Sequence, residues 1–224
     1  MQLPDLTGRA NFSAAMQIII LLTVLSLAPA ILIMMTSFTR IIIVLSLLRQ
    51  AIGTPSLPPN QVLIGLSLFM TFLVMAPTWK KINDDAIQPY MNGAPGMDQR
   101  AALGEAIKPL RHFMIGQIER SGNTEDVLLF TDFAKQPEPQ SFSEVPTLTL
   151  IPAFMLSELK TAFLLGFKVY LPFLVIDMVI SSILISMGMM MLPPALISLP
   201  FKLLLFVLVD GWHLITGSLM GSFV

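Results

Sequence analysis

Cysteine is absent from all 224 residues, charge is scarce, and the few charges nearly cancel. Without cysteine there are no disulfides, no thiolate nucleophiles and no cysteine-ligated zinc, iron–sulfur or redox centres. Thirteen basic side chains against fourteen acidic ones leave a net charge of −1. No basic stripe is available to neutralise phosphates, which excludes nucleic acid as a partner. Only 12% of the residues are charged, about half the share of an average soluble domain. Histidine occurs only at His112 and His213, and the patterns G-x-S-x-G, H-E-x-x-H, G-x-x-x-x-G-K-[ST] and G-x-G-x-x-G are all missing. The chain reads as a non-enzyme without cofactor or metal.

What fills the space is apolar: 54% of the residues are hydrophobic and the mean hydropathy is +0.78. A lone 25 kDa chain of this composition has too few polar residues to cover itself, so it belongs in a membrane, among partner subunits, or both. The charge is also unevenly placed. Residues 80–146 hold seventeen of the twenty-seven charged residues, with a net charge of −3. This divides the chain into an apolar segment 1–79, a polar helical insertion 80–146 and an apolar segment 147–224. The expected fold class is all-α: two long, kinked apolar helical hairpins with a smaller helical insertion between them.

Phe12 to Leu48 carries one charge, Arg40. As one helix it would be about 55 Å long, well beyond a hydrocarbon core of about 30 Å, so a break is expected at Pro29 or in Thr36-Ser37-Phe38-Thr39. Gly53, Pro55, Pro58 and Pro59 mark a reversal. The next run, Val62 to Pro77, ends at Trp79-Lys80-Lys81, an aromatic and basic group suited to an interface. In the insertion, Leu103, Ile107, Leu110, Met114 and Ile118 recur at steps of three and four, marking one face of an amphipathic helix that Pro109 is placed to kink. A second helix is expected over Glu125–Phe133 with Thr124 as its N-cap, followed by the linker KQPEPQSFSEVP. In the last segment Gly188 and Pro193-Pro194 act as breaks and mark the tip of the second hairpin. Gly217-x-x-x-Gly221 offers a site of close helix approach.

Eight charges interrupt the apolar runs: Arg40, Arg49, Glu158, Lys160, Lys168, Asp177, Lys202 and Asp210. A charge in hydrocarbon costs at least about 2.5–3.5 kcal/mol. A helical partner would lie three or four residues away, and only Asp210 has one of useful type, His213. The rest require another helix, another subunit or water. For Arg49 and Lys160, near the ends of runs, snorkelling to water competes with pairing. Arg40, Asp177 and Lys202 lie deeper and point to pairing between helices or between subunits. Topology follows from the same charges: an acidic insertion outside puts Arg40 and Arg49 inside and the N-terminus outside. Lys80 and Lys81 run against this, and no signal peptide is visible ahead of Gln2.

Sixteen methionines are present, four of them at Met187, Met189, Met190 and Met191. Methionine adapts to irregular or changing neighbours. Scattered examples such as Met70, Met75 and Met114 suit a core. A cluster at a hairpin tip suits a compressible apolar constriction, which blocks ions by dewetting yet parts around a polypeptide. A small transporter, with Asp177 or Asp210 as a proton or cation site and prolines as hinges, is the alternative. An intramembrane aspartyl protease built on the same two residues comes third.

The stretches SFTRIIIVLSLLRQAIGTPSLPPNQVLIGLSLFMTFLVMAP (37–77) and LIPAFMLSELKTAFLLGFKVYLPFLVIDMVISSILISMGMMMLPPALISLPFKLLLFVLVDGW (150–212) closely resemble the FliP/SctR family of type III secretion export-gate proteins. The absent leader departs from that family's pattern. The resemblance implies five copies assembled with FliQ and FliR into a helical channel complex, docked against FlhB and above FlhA, through which unfolded flagellar proteins pass. It places that complex at the bacterial inner membrane in the flagellar basal body, largely on the periplasmic side. It also maps a methionine gasket onto Met189, Met190 and Met191, with Met187 adjacent. A charged pair in the last hairpin maps onto Asp177 and Lys202, and a subunit contact onto Glu158 in SELKTAF.

Overall fold

The computed structural model describes residues 16, 19, 22, 23, 26, 27, 29–31, 33–189 and 191–224. Met190 and the polar lead Met1 to Asn11 lie outside the described residues. Those that are described form helices and no strand. The fold is all-α.

Described positions on either side of Pro29 are helical, and the long first run breaks instead at Met35–Ser37. There the Thr36 hydroxyl donates to the Ile33 carbonyl and accepts from the Phe38 amide. The competing side-chain hydroxyl, rather than the proline, ends this helix. Helix α1, Phe38–Ile52, buries Ile41, Val44, Leu45, Leu48 and Ile52, a stripe at steps of three and four. It stops at Gly53, whose φ of 90° is left-handed; the Thr54 amide bonds back to the Arg49 carbonyl at 3.3 Å, a C-terminal cap that glycine adopts without strain. Arg49 then ties the reversal together, donating to the Pro58 carbonyl (3.1 Å) and to Asn60 Oδ1 (2.7 Å).

Helix α2, Asn60–Ile82, does not end at Trp79-Lys80-Lys81. It passes through them into a π-helical turn, Asn83–Ile87, and a last α-helical turn, Gln88–Met91. The change of composition near residue 80 therefore falls inside one continuous helix of 32 residues. Helix α3, Gln99–Arg120, runs on through Pro109. Of its expected apolar face, Leu110, Met114 and Ile118 are buried, whereas Leu103 and Ile107 are exposed. Its buried residues lie from Pro109 onward. Helix α4, Thr124–Phe133, follows with Asn123, not Thr124, at the N-cap position. The Asn123 side chain does not cap; its amide donates to Ser157 Oγ at 3.0 Å, so a contact to the next long helix displaces the local one. The proline-rich linker holds one 3-10 turn, Phe142–Glu144, and is clasped by Arg111. That guanidinium donates to the Ser143 and Val145 carbonyls and the Thr147 hydroxyl at 2.6 to 2.8 Å, and burial pulls its pKa down from the usual arginine value.

Helix α5, Thr147–Ser186, is 40 residues long and crosses Pro152 and Pro172 without interruption, a length of about 60 Å. After the tip, α6 (Pro194–Leu208) and α7 (Gly211–Gly221) meet at 66°. Two apolar cores result. One joins Val44, Leu45 and Leu48 of α1 to Ala162 and Phe173 of α5 and Phe206 of α6. The other joins Met75 of α2, Met114 and Ile118 of α3, Val127 of α4 and Leu150 and Phe154 of α5. The polar insertion thus shares its core with the apolar helices.

Candidate functional site: a buried charge hub and an exposed methionine tip

The largest fully buried side chain is Arg40. Its place in α1 turns it toward α5, where Glu158 waits with no exposed surface; Arg40 itself is 1% exposed. Nε reaches Glu158 Oε2 at 2.9 Å and Nη2 contacts Oε1, the two-pronged geometry that makes arginine–carboxylate pairs strong. The remaining donors are also used. Nη2 reaches Gln117 Oε1 at 3.2 Å, and Nη1 reaches the Ser222 carbonyl (3.0 Å) and hydroxyl (3.1 Å). The guanidinium carbon lies 4.1 Å from the centre of the Phe223 ring, a cation–π contact. Gln117 Nε2 (3.2 Å) and Arg120 both donate to the Phe223 carbonyl. Four parts of the chain, α1, α3, α5 and the segment after α7, meet at one fully bonded ion pair.

A second pair sits nearer the tip. Lys202 of α6 is buried and donates to Asp177 Oδ2 of α5 at 2.6 Å and to the Ala51 carbonyl in the last turn of α1 at 3.1 Å. Ser198 donates to Asp177 Oδ1 at 2.6 Å. This links both arms of the tip hairpin to α1. A third pair joins Lys160 of α5 to Asp126 of α4, whose carboxylate is buried. Of the eight charges in the apolar runs, six thus find partners elsewhere in the same chain. Among the described residues no ion pair or hydrogen bond engages Lys168, and none joins Asp210 to His213. Asp210 instead occupies the elbow between α6 and α7 with φ 49°.

The tip is built by backbone geometry. Gly188 has φ 75° and the Met189 amide bonds back to Leu184 O at 2.9 Å, closing α5 with a left-handed cap. Pro193 precedes α6 and Pro194 opens it, where a missing amide hydrogen costs nothing. Met187, Met189 and Met191 project from this turn, and Met191 is 98% exposed. The arms below are apolar on their outer faces as well: in the most apolar stretch of α5 only 11% of residues are buried, and Phe163, Phe167, Phe201 and Leu204 are exposed.

Two glycines went unnoticed in the sequence. A Cβ at Gly166 would overlap Leu47 of α1, and one at Gly211 would overlap the Phe206 ring. At Gly217 and Gly221, by contrast, nothing among the described residues lies within 4 Å of an added Cβ. Among the described residues, the G-x-x-x-G spacing therefore marks no close approach. Among the described residues no cluster of three potential ligands could hold a metal.

Among the described residues, two helices are long and apolar enough to cross a membrane, or three if the bent α6–α7 pair is one span. With most of the charges in its apolar runs bonded within the chain, it is a membrane-type helical protein. Comparison with known proteins narrows the class. The FliP family profile matches residues 21–219. The flagellar biosynthetic protein FliP of Bacillus subtilis (strain 168) is 53% identical over 95% of this chain and 94% of its own length. That of Pectobacterium carotovorum subsp. carotovorum is 53% identical over 96% and 81%, and that of Aquifex aeolicus (strain VF5) is 49% identical over 96% and 89%. The chain belongs to the FliP family of flagellar biosynthetic proteins.

Proposed function

We propose that the chain is a core, non-catalytic subunit of the flagellar type III export gate, and that its methionine tip seals the export pore. In this reading several copies, five by family resemblance, stand together with FliQ and FliR, against FlhB and above FlhA. Much of the assembly lies on the periplasmic side of the inner membrane, and unfolded flagellar proteins pass through it. The observation that carries the proposal is the α5–α6 hairpin, whose exposed apolar arms end in exposed, flexible thioether side chains. Such a surface is unsuited to water and suited to packing against copies of itself and like subunits, with the tips converging on an axis. Methionines meeting there exclude ions by dewetting and yield to a chain without breaking hydrogen bonds. A cation carrier built on Asp177 would need an available carboxylate there, and both of its oxygens are engaged.

Replacing Met187, Met189, Met190 and Met191 with glycine tests the seal. Cells carrying the assembled complex are expected to leak small ions several-fold faster, read as loss of membrane potential. Leakage equal to that of the unaltered complex would remove the tip from the barrier.

A further inference from the structure

The residues that present the seal carry oxidisable thioethers and are exposed in the single chain, as Met91 (78%) and Met178 (54%) also are. The chain has no cysteine to react first. Met191 is 98% exposed, Met187 62% and Met189 42%, whereas Met75 and Met114 are fully buried and Met35 and Met70 nearly so. Leucine also presents an apolar surface, but it is inert to peroxide. Methionine adds flexibility and, with it, a thioether that takes up oxygen.

We infer that the Met187–Met191 tip is a reversible oxidation site, at which methionine sulfoxide formation by a peroxide loosens the ion seal. The inference rests on the reading of the tip as a seal. The chemistry is a two-electron oxygen transfer. The thioether sulfur attacks one oxygen of hydrogen peroxide, the O–O bond breaks, an S=O bond forms, and the remaining oxygen leaves as water after proton transfer. Sulfur is oxidised and peroxide reduced, so no further reagent is needed. Each event replaces an apolar thioether with a strongly dipolar group that accepts hydrogen bonds from water. A constriction that excludes ions by staying dry is wetted by such groups, several of which face one another when copies converge. Methionine sulfoxide reductases return the thioether by oxidising two thiols to a disulfide and releasing the oxygen as water, which makes the change reversible.

The position on α5 and α6 makes the chemistry readable. No lysine or arginine falls between Lys168 and Lys202, so trypsin releases the whole tip as one peptide, and fragmentation locates the added oxygen. Assembled complex in membranes is exposed to graded hydrogen peroxide, and oxygen uptake at Met187, Met189 and Met191 is compared with that at Met75 and Met114. The tip is expected to oxidise at least tenfold faster. In cells, membrane-potential loss through the complex should rise several-fold after peroxide and recover when reductases are active. A variant with leucine at positions 187, 189, 190 and 191 should show a ratio of leak after to before peroxide near one, whatever its resting leak. Equal oxidation of tip and core methionines, or an equal rise in the leucine variant, would overturn the inference. So would a tip that oxidises with no change in leak while the glycine variant described above leaks. If the glycine variant does not leak either, the reading of the tip as a seal fails first.

Discussion

Removing Arg40 leaves Glu158 buried with no counter-charge, and removing Glu158 strands the guanidinium. Because both groups have essentially no exposure, water cannot take over. Arg40→Met is therefore expected to destabilise the protein by about 3–5 kcal/mol, measured as a lowered thermal midpoint of the detergent-purified chain. The double variant Arg40→Leu, Glu158→Leu should recover most of the loss, since it leaves no unpaired charge. A single variant as stable as the unaltered chain would show the pair to be dispensable. The Asp177–Lys202 pair is asymmetric. Lys202 is buried while Asp177 is about one-third exposed, so Asp177→Ala should harm assembly more than Lys202→Ala. Spreading of cells in soft agar checks the order: the aspartate variant is expected to spread less. Charges are plain in the sequence, and the absence of one-turn partners points to other helices. Which helix was not legible, because Arg40 and Glu158 lie 118 positions apart and no local pattern links them. Lys160 and Asp126, likewise, are joined only by the packing of α4 on α5.

At the scale of the helices, close approach decides tolerance. Gly211→Ala is expected to cost about 1–3 kcal/mol, because its Cβ enters the Phe206 ring, which is already held by Phe173 and Trp212. Gly217→Ala, with open space around it, should be neutral or stabilising by up to about 1 kcal/mol through helix propensity. Thermal melting of the two variants measures the contrast; equal loss would show that the α6–α7 elbow does not depend on Gly211. Helix type and the reversals at Gly53 and Gly188 were readable, since left-handed caps and prolines act locally. Helix ends governed by tertiary contacts were not. Asn123 gives up its capping role for Ser157, and α2 continues past an interface-like Trp-Lys-Lys group because Ile82 and Ala86 are buried beyond it. The exposed Leu103 end of α3 shows the converse, a periodic face that the described residues leave largely uncovered.

Across the whole molecule, charge and apolar surface have opposite fates. Six of the eight intrusive charges are satisfied inside the chain, so charge by itself does not call for partners. The uncovered apolar surface does: α2 exposes Phe69, Phe72 and Leu73, and α5 and α6 expose apolar residues along most of their lengths. Lipid covers such faces on a span of about 20 residues, but α5 is twice that long. The part of α5 before Phe163 is covered by this chain's own helices, and in the proposed gate the exposed remainder packs against other subunits. The most direct test is the native mass of the particle extracted in mild detergent from cells making the flagellar export proteins. A ring of several copies of this chain, expected to be five, together with other small export subunits is the predicted result. A particle containing only one or two copies, with no other subunit, would contradict the account.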